Sequence, residues 1–531
     1  MTPTTLAKRG ATICAIKHPV FWYWACILII SGLFLSSTFT GGATWDQPTD
    51  FGGLQRQLSF AHDILFGSTN STFLSLRAAA FYGIGTVLPA YAFSYLIDIV
   101  WLNRAAQTFD HTYLLLLHLI TFVCAIAGVS YTRRLVCLAT GERETSFLAG
   151  ITLLVMPSWI GYGFFDDKDI PVAAGVVAAT YYAAAYMRDG RSRTSCLFFL
   201  ALLFLGVQKL AAVPLAMPAC VAVLIAVVRK PSPRKMAIVV VQATLFLFLL
   251  YVATPAAWRE PFALAMAELK FMSAVNWDGC TLTAGQCIGR NFDNGQGYSA
   301  IKYLGLWYGV QLPIFLAIGL LAAIYLYVQS FRHAQPCQHL IMAALAWPIS
   351  VIALLNSTLL DGVRHTLFLV PLAVAMVFVT IPATFWWQRR WWLACYFLFL
   401  LIDAISLQPY EYVWFNEAAV FFASEKNYET DYWGYSLRQA AARARELQGP
   451  TDWVVSPDDD ANPGELVEPL ITERFSTEVE SVPRGATYFL VSITRMNTQP
   501  PKECDNVDYV TRRQLLAPRP LHLAFVARCR K

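Results

Sequence analysis

From residue 20 to residue 408, apolar segments of spanning length alternate with short polar ones, and beyond 408 the alternation stops. The segments are 20–39, 112–132, 145–162, 171–187, 194–209, 211–228, 236–253, 308–330, 340–356, 365–386 and 391–408. Most approach the roughly 20 residues that a helix needs to cross a bilayer. The pattern predicts an α-helical polytopic membrane protein with eleven spans. A further apolar stretch, 79–101, carries Gly83, Gly85, Pro89 and Asp98. Helix breakers and a charge suit a segment buried in protein or lying at the interface, so this stretch is not expected to cross.

Residues 41–66 follow a different pattern. Leu54, Leu58, Ala61 and Leu65 recur at helical spacing, while Gln55, Arg56, Gln57, His62 and Asp63 fall mainly on the other faces. A helix lying in the membrane interface is predicted, following a loop that carries Asp46 and Asp50. Past residue 408 the chain turns polar. Residues 435–448 read as a helix ended by Gly449-Pro450, and 453–456, 487–493 and 521–527 read as short strands. Residues 1–408 are therefore expected to form the membrane domain and 409–531 a small external α/β domain.

Composition agrees with the pattern. Hydrophobic residues make up 56% of the 531 and charged residues only 14%, with a mean hydropathy of +0.47. Soluble domains carry roughly 25% charged residues, which excludes that class. The net charge of +5 calls for no nucleic-acid partner, because the basic residues sit in short clusters between apolar runs. Lys8/Arg9/Lys17, Arg133/Arg134, Arg188/Arg191/Arg193, Arg229/Lys230/Arg234/Lys235, Arg332/His333 and Arg389/Arg390 are the cytoplasmic side by the positive-inside rule. Neighbouring clusters must then be separated by an even number of spans, which is what removes 79–101 from the count. The first apolar run is long for a signal core and is read as a retained helix. The tail falls outside the cell, as do the polar stretches 41–50, 161–171, 254–303 and 356–365.

Twelve cysteines are present, most of them in apolar segments where packing explains them. Cys280 and Cys287 instead share a polar external loop, and a disulfide between them is expected. Cys504 and Cys529 in the tail form a weaker candidate pair.

Ionisable residues at a membrane boundary are functional candidates, and here they gather on the outer face. Asp46 and Asp50 come first. Asp166-Asp167-Lys168-Asp169 is closed by Ile170-Pro171 at the start of a span. Asp167 and Asp169 could hold a divalent cation and Lys168 a phosphate, or the acids could simply cap a helix. Arg364 and His365, in Asp361-Gly362-Val363-Arg364-His365, again precede a span. The arginine can fork onto a phosphate or snorkel to the interface. Lys209 and Arg259 add two cations at the same boundary. Cations near the lipid with carboxylates above suit glycosyl transfer from a lipid-phosphate sugar, where one base and one phosphate clamp are enough for an inverting displacement.

These residues resemble the GT-C superfamily of polyprenyl-phosphate-dependent glycosyltransferases, in particular a bacterial branch. The segments that carry the likeness are WDQPTD (45–50), FFDDKDIP (164–171), DGVRH (361–365), YEYVWFNE (410–417) and ETDYWGYS (429–436). The resemblance reaches from the first external loop to about residue 448. It implies a multi-pass protein of the bacterial inner membrane with its site facing outward. The implied donor is a polyprenyl-phosphate sugar, and the acceptor a hydroxyl of a glycan, lipid or protein. Asp46 falls on the family's catalytic base with Asp50 secondary, Asp167 to Asp169 on its second acidic site, and Arg364 on its phosphate-binding position. Gln47 stands where the family commonly has an acid, and Asp166-Asp167 where it has Asn-Pro, which leaves metal binding open. A transporter would share the many spans but would place its charges near mid-bilayer within repeated halves.

Overall fold

The computed structural model describes residues 19–67, 76, 81–100, 111–229, 231–273, 279–289, 297–457, 474–494 and 498–531. The basic cluster Lys8/Arg9/Lys17 lies outside the described residues. The first helices are α1 (Pro19–Thr40), α2 (Asp46–Phe66), α3 (Val87–Val100), α4 (His111–Thr140), α5 (Arg143–Leu154) and α6 (Pro157–Phe165). They are followed by α7 (Asp169–Asp189), α8 (Ser192–Gln208), α9 (Met217–Arg229), α10 (Pro233–Val252), α11 (Pro261–Ser273) and α12 (Ala300–Gln311). The remainder are α13 (Ile314–Gln329), α14 (Pro336–Leu355), α15 (Leu369–Thr380), α16 (Ala383–Gln388), α17 (Arg390–Leu407) and α18 (Leu437–Leu447).

Among the described residues, seven helices are long and apolar enough to cross a membrane, and α5 with α6 forms a bent pair, angled at 67°, that counts as an eighth. Helices α3, α8, α13 and α15 are apolar but shorter. Several segments expected as single spans are thus interrupted, and proline accounts for each break. Pro157 separates α5 from α6, Pro313 separates α12 from α13, and Pro382 separates α15 from α16. Segment 211–228 starts as a 3-10 turn, Leu210–Ala216, that contains Pro214. A proline ring has no N–H to give and clashes with the carbonyl one turn back. Among its described residues, the apolar stretch 79–101 forms one α-helix, α3, whose 14 residues reach about 21 Å, short of a bilayer core. Before α3 the chain lies flat against the end of α8, where Gly83 N–H donates to the Gln208 carbonyl at 3.0 Å and Gly85 N–H to Val207 at 3.1 Å. A Cβ on Gly83 would stand 2.1 Å from the Val207 carbonyl oxygen, so only glycine fits there.

Helix α15 is apolar on every side, and residues 369–378 are all buried, so it forms the centre of the bundle. Helices α4, α5, α7, α13 and α14 pack against it, and α5, α6 and α7 are buried over nearly their whole length. The outward faces of α1, α3, α9, α10 and α13 carry exposed Trp, Phe, Leu and Val, as lipid-facing helices do.

The hairpin β1 (Cys280–Thr283) and β2 (Gln286–Gly289) is closed by a Cys280–Cys287 disulfide, Cα–Cα 5.4 Å. The tail folds into a five-stranded mixed sheet of β3 (Trp453–Val455), β4 (Phe475–Ser476), β5 (Thr487–Ile493), β6 (Asp505–Arg512) and β7 (Leu521–Arg530). Its order is β4-β3-β5-β7-β6, with β3 parallel to β4 and β5, and β7 antiparallel to β5 and β6. Helix α18 covers one face through Leu437, Ala440, Ala441 and Ala444. Cys504 and Cys529 are disulfide-bonded, Cα–Cα 4.4 Å. Strands β4 and β6 were not expected from the sequence: β4 has two residues, and β6 is a polar edge strand, DNVDYVTR, with no clean alternation.

Between membrane bundle and sheet, residues 409–436 run back along α17 instead of leaving the bundle. Trp414 Nε1 donates to Asp403 at 2.8 Å, and Glu417 accepts from Tyr396, about two turns earlier on the same helix. Asn416 Nδ2 donates to the Gly309 and Leu312 carbonyls at 2.7 and 2.9 Å, while Glu417 accepts the Ile314 N–H at 3.1 Å. These side chains satisfy the backbone groups that the Pro313 break leaves without helical partners. Asn416→Ala is expected to cost about 2 kcal/mol of stability, because two carbonyls would be left buried and unpaired. Thermal unfolding of the detergent-purified protein measures this, and an unchanged midpoint counts against it.

Candidate active site

The charged residues singled out as site candidates are carried at or near the start, end or break of a helix. Asp46 and Asp50, expected on a loop ahead of the helix, are instead one turn apart at the start of α2. Residues 166–168 link α6 to α7, and Asp169 opens α7. Lys209 stands between α8 and the 3-10 turn, and Arg364 begins a short 3-10 turn, Arg364–Thr366, before α15. Helix termini expose unpaired backbone groups and so collect polar partners, which is why these breaks and charges coincide.

The fold brings the charges into one network. Lys168 Nζ lies 2.9 Å from Asp50 Oδ2 and 3.3 Å from Asp46 Oδ2. Arg364 reaches the same Asp46 oxygen at 3.4 Å and Asp361 at 3.0 Å. Lys209 pairs with Asp169 at 2.7 Å. The Arg364 guanidinium also sits over the rings of Trp433 and Tyr432, at 4.6 and 5.6 Å from their centroids, and Lys168 lies over Tyr82 at 4.5 Å. Three cations therefore share one space with three carboxylates, Asp46, Asp169 and Asp361, while Asp50 backs Lys168 from outside it.

That space is a cavity of about 480 Å³. Its polar end is lined by Asp46, Lys168, Asp169, Lys209, Arg364 and His365. Its other end is apolar, formed by Leu215, Leu269, Trp347, Val351, Ile352 and Leu355. Trp347 Nε1 donates to the Pro214 carbonyl at 2.9 Å and ties the two walls of the apolar end together.

Exposure separates the two candidate carboxylates. The Asp46 side chain is 34% exposed and lines the cavity, whereas that of Asp50 is 5% exposed and does not. Burial pushes the Asp46 carboxyl up, but Lys168 and Arg364 outweigh it and hold the group down at about 2. For Asp50 burial prevails over Lys168, with Asp46 adding to the rise, and the group moves up to about 6. Asp46 is thus a standing carboxylate at the cavity wall, and Asp50 supports Lys168 from behind.

The second acidic loop divides in its roles. Asp166 Oδ1 accepts the Asp169 N–H at 3.0 Å and so caps the start of α7. Asp167 is buried away from the cavity, and its carbonyl accepts the Thr86 hydroxyl at 2.9 Å. Asp169 faces Lys209. Among the described residues, no group of three or more His, Cys, Asp or Glu side chains could hold a metal ion. Asp167 and Asp169 do not converge with a third such ligand. Arg259 is exposed and does not line the cavity.

Sequence reasoning did not single out Tyr82, Asp361, Trp347 or the Tyr432–Trp433 pair as cavity residues. Two of these had a signal: Asp361 opens the DGVRH segment (361–365), and Tyr432 and Trp433 stand in ETDYWGYS (429–436). Trp45 N–H donates to the Trp433 carbonyl at 3.2 Å, and Gly434, at φ +69°, leaves room for the Trp45 indole. Gln47 is fully buried. Its Nε2 donates to the Phe165 carbonyl at 3.1 Å and lies 2.9 Å from His118 Nε2, which pins the start of α2 to α4 and α6.

Among solved structures, the chain is similar to ArnT from Cupriavidus metallidurans in the apo state, with 10% identity over 96% of this chain and 98% of that one and a TM-score of 0.46. It is also similar to the same protein bound to undecaprenyl phosphate, with 10% identity over 95% and 98% and a TM-score of 0.47. A third is the archaeal oligosaccharyltransferase AglB from Archaeoglobus fulgidus in complex with an inhibitory peptide and a dolichol-phosphate, with 11% identity over 90% and 70% and a TM-score of 0.42. No protein-family model matches the chain, and no curated protein matches it. The fold and the cavity together define a polytopic α-helical membrane protein with a mixed ion-pair and apolar site and a small C-terminal sheet.

The exposure difference is directly measurable. A charged, water-soluble thiol reagent is expected to modify Asp46→Cys and to spare Asp50→Cys, with the parent protein as background. Equal labelling of the two variants would contradict the geometry.

Proposed function

We propose that the chain is an inverting GT-C-type glycosyltransferase of the bacterial inner membrane, acting on its outer face. It moves a sugar from a polyprenyl-phosphate donor to a hydroxyl of a glycan, lipid or protein acceptor. The observation that carries the proposal is the cavity itself, with Lys168, Lys209 and Arg364 at one end and an apolar passage at the other. A phosphate joined to a long hydrocarbon chain has that same division of chemistry.

In this scheme the acceptor oxygen attacks the anomeric carbon while the bond from that carbon to the phosphate oxygen breaks. The electron pair leaves with the phosphate, and the acceptor proton passes to Asp46. The phosphate gains charge as the bond breaks, so cations that touch it hold the transition state more tightly than the donor. Arg364 offers two N–H groups in one plane, and Lys168 and Lys209 act as point charges. One displacement at one carbon inverts its configuration.

Asp46 shares Lys168 and Arg364 with the incoming phosphate. While both cations face it, the carboxylate is too acidic to be an effective base. A phosphate that draws those cations away raises the Asp46 pKa toward its ordinary range. The base is thereby activated by the donor.

Asp46→Asn is expected to lower turnover by at least about 100-fold while donor binding survives, the usual scale for loss of a general base. Single-turnover rates and direct binding of a polyprenyl phosphate separate the two quantities, and near-normal turnover would refute the role. The pH profile gives an independent check. Losing a neighbouring positive charge raises a carboxylate pKa, so Lys168→Met should move the acid limb of kcat/KM to higher pH than in the parent. An acid limb that stays in place or moves down would exclude Asp46 as the titrating base.

A further inference from the structure

Asp361 holds Arg364 from the side opposite Asp46, and its own conformation depends on a distant hairpin. Asp361 has φ +52° and Gly362 φ +76°, two consecutive residues in the left-handed region. An aspartate there is sparsely populated and needs support from its surroundings. The support comes from two buried hydroxyls. Asp361 N–H donates to Thr281 Oγ1 at 3.0 Å, and Gly362 N–H donates to the Tyr303 hydroxyl at 3.1 Å. Held this way, Asp361 directs Oδ2 at Arg364, 3.0 Å away.

Thr281 belongs to β1, in the hairpin closed by Cys280–Cys287. The hairpin is docked on residues that flank the cavity. Leu282 N–H donates to Glu429 at 3.1 Å, Glu429 N–H to the Leu282 carbonyl at 2.9 Å, and Gly285 N–H to the Asn427 carbonyl at 2.8 Å. Trp307 Nε1 donates to Thr283 at 3.1 Å. The same 424–436 segment continues into Tyr432 and Trp433, whose rings lie under the guanidinium. Both the carboxylate and the aromatic support of Arg364 thus hang on one disulfide-closed hairpin. Thr281 itself does not line the cavity.

We propose that Thr281, presented by the Cys280–Cys287 hairpin, is a positioning residue that fixes Asp361 and so keeps Arg364 aimed at the donor phosphate. This rests on the proposal above that Arg364 holds that phosphate. Without Asp361 pulling from one side, the guanidinium is drawn to Asp46 alone and leaves the phosphate space. The hairpin then couples an external disulfide to donor affinity, although neither cysteine touches the donor.

Binding of a short-chain polyprenyl phosphate to the purified full-length protein tests this. Thr281→Val is expected to weaken binding by about tenfold, Thr281→Ser to restore it, and Thr281→Val added to Arg364→Ala to cause no further loss, as expected for residues that act through one group. Parent-like affinity in Thr281→Val, failure of the serine to restore it, or full additivity with Arg364→Ala would overturn the inference alone. Parent-like affinity in Arg364→Ala would overturn both the clamp and the inference. Cys280→Ser/Cys287→Ser, which leaves every cavity residue in place, is expected to show the same loss. Parent-like affinity in that variant removes the hairpin from the account.

Discussion

Asp46, held between Lys168 and Arg364, is the contact on which the rest of the site depends. One carboxylate oxygen draws together a cation from the loop before α7 and one from the turn before α15, more than 190 residues apart in sequence. Charges withdrawn from water are tolerable only when paired, and breaking a buried pair costs more than the pair contributes. Asp50 and Asp361 complete the pairing on either side, so the polar end of the cavity is close to neutral before any ligand arrives. An anion entering there exchanges one set of partners for another and leaves no cation stripped bare.

Helix breaks supply the positions for this network. A continuous span presents side chains only to lipid or to neighbouring helices. A terminus opens into irregular backbone, which a membrane protein accepts only where protein or water surrounds it. Lys168, Lys209 and Arg364 all stand at such termini, and the apolar passage beside them is lined by the 3-10 turn Leu210–Ala216 and the end of α14. The shape that admits a polar head and the shape that admits an apolar chain come from the same interruptions.

The segment 409–436 closes the arrangement from above. Asn416 and Glu417 satisfy the break at Pro313, Asp431 accepts N–H groups from Tyr435 and Ser436 at 3.1 and 2.8 Å, and Tyr432 and Trp433 reach Arg364. The C-terminal sheet is anchored to the bundle through the same region, since Leu515 N–H donates to Asp403 at 2.7 Å and Gln514 Nε2 to the Phe415 carbonyl at 2.7 Å.

The sequence by itself determined the helical membrane class, the helical periodicity from Leu54 to Leu65, and the identity of most charged residues at the cavity, though it read Asp46 and Asp50 as a loop ahead of that helix. Those features are local: apolar run length, helical spacing, and charges too costly to sit at a membrane boundary without a use. Spans broken at Pro157, Pro313 and Pro382 were read as continuous, because total hydrophobicity hides a missing backbone hydrogen bond. Only the tertiary structure decided which charges meet. It set Asp46 at the cavity wall and Asp50 behind it, turned Asp167 away, left Arg259 exposed, and brought Asp361, Tyr432 and Trp433 to Arg364. Pairings across tens to hundreds of residues depend on how helices pack and where they break, and neither spacing nor composition encodes that distance.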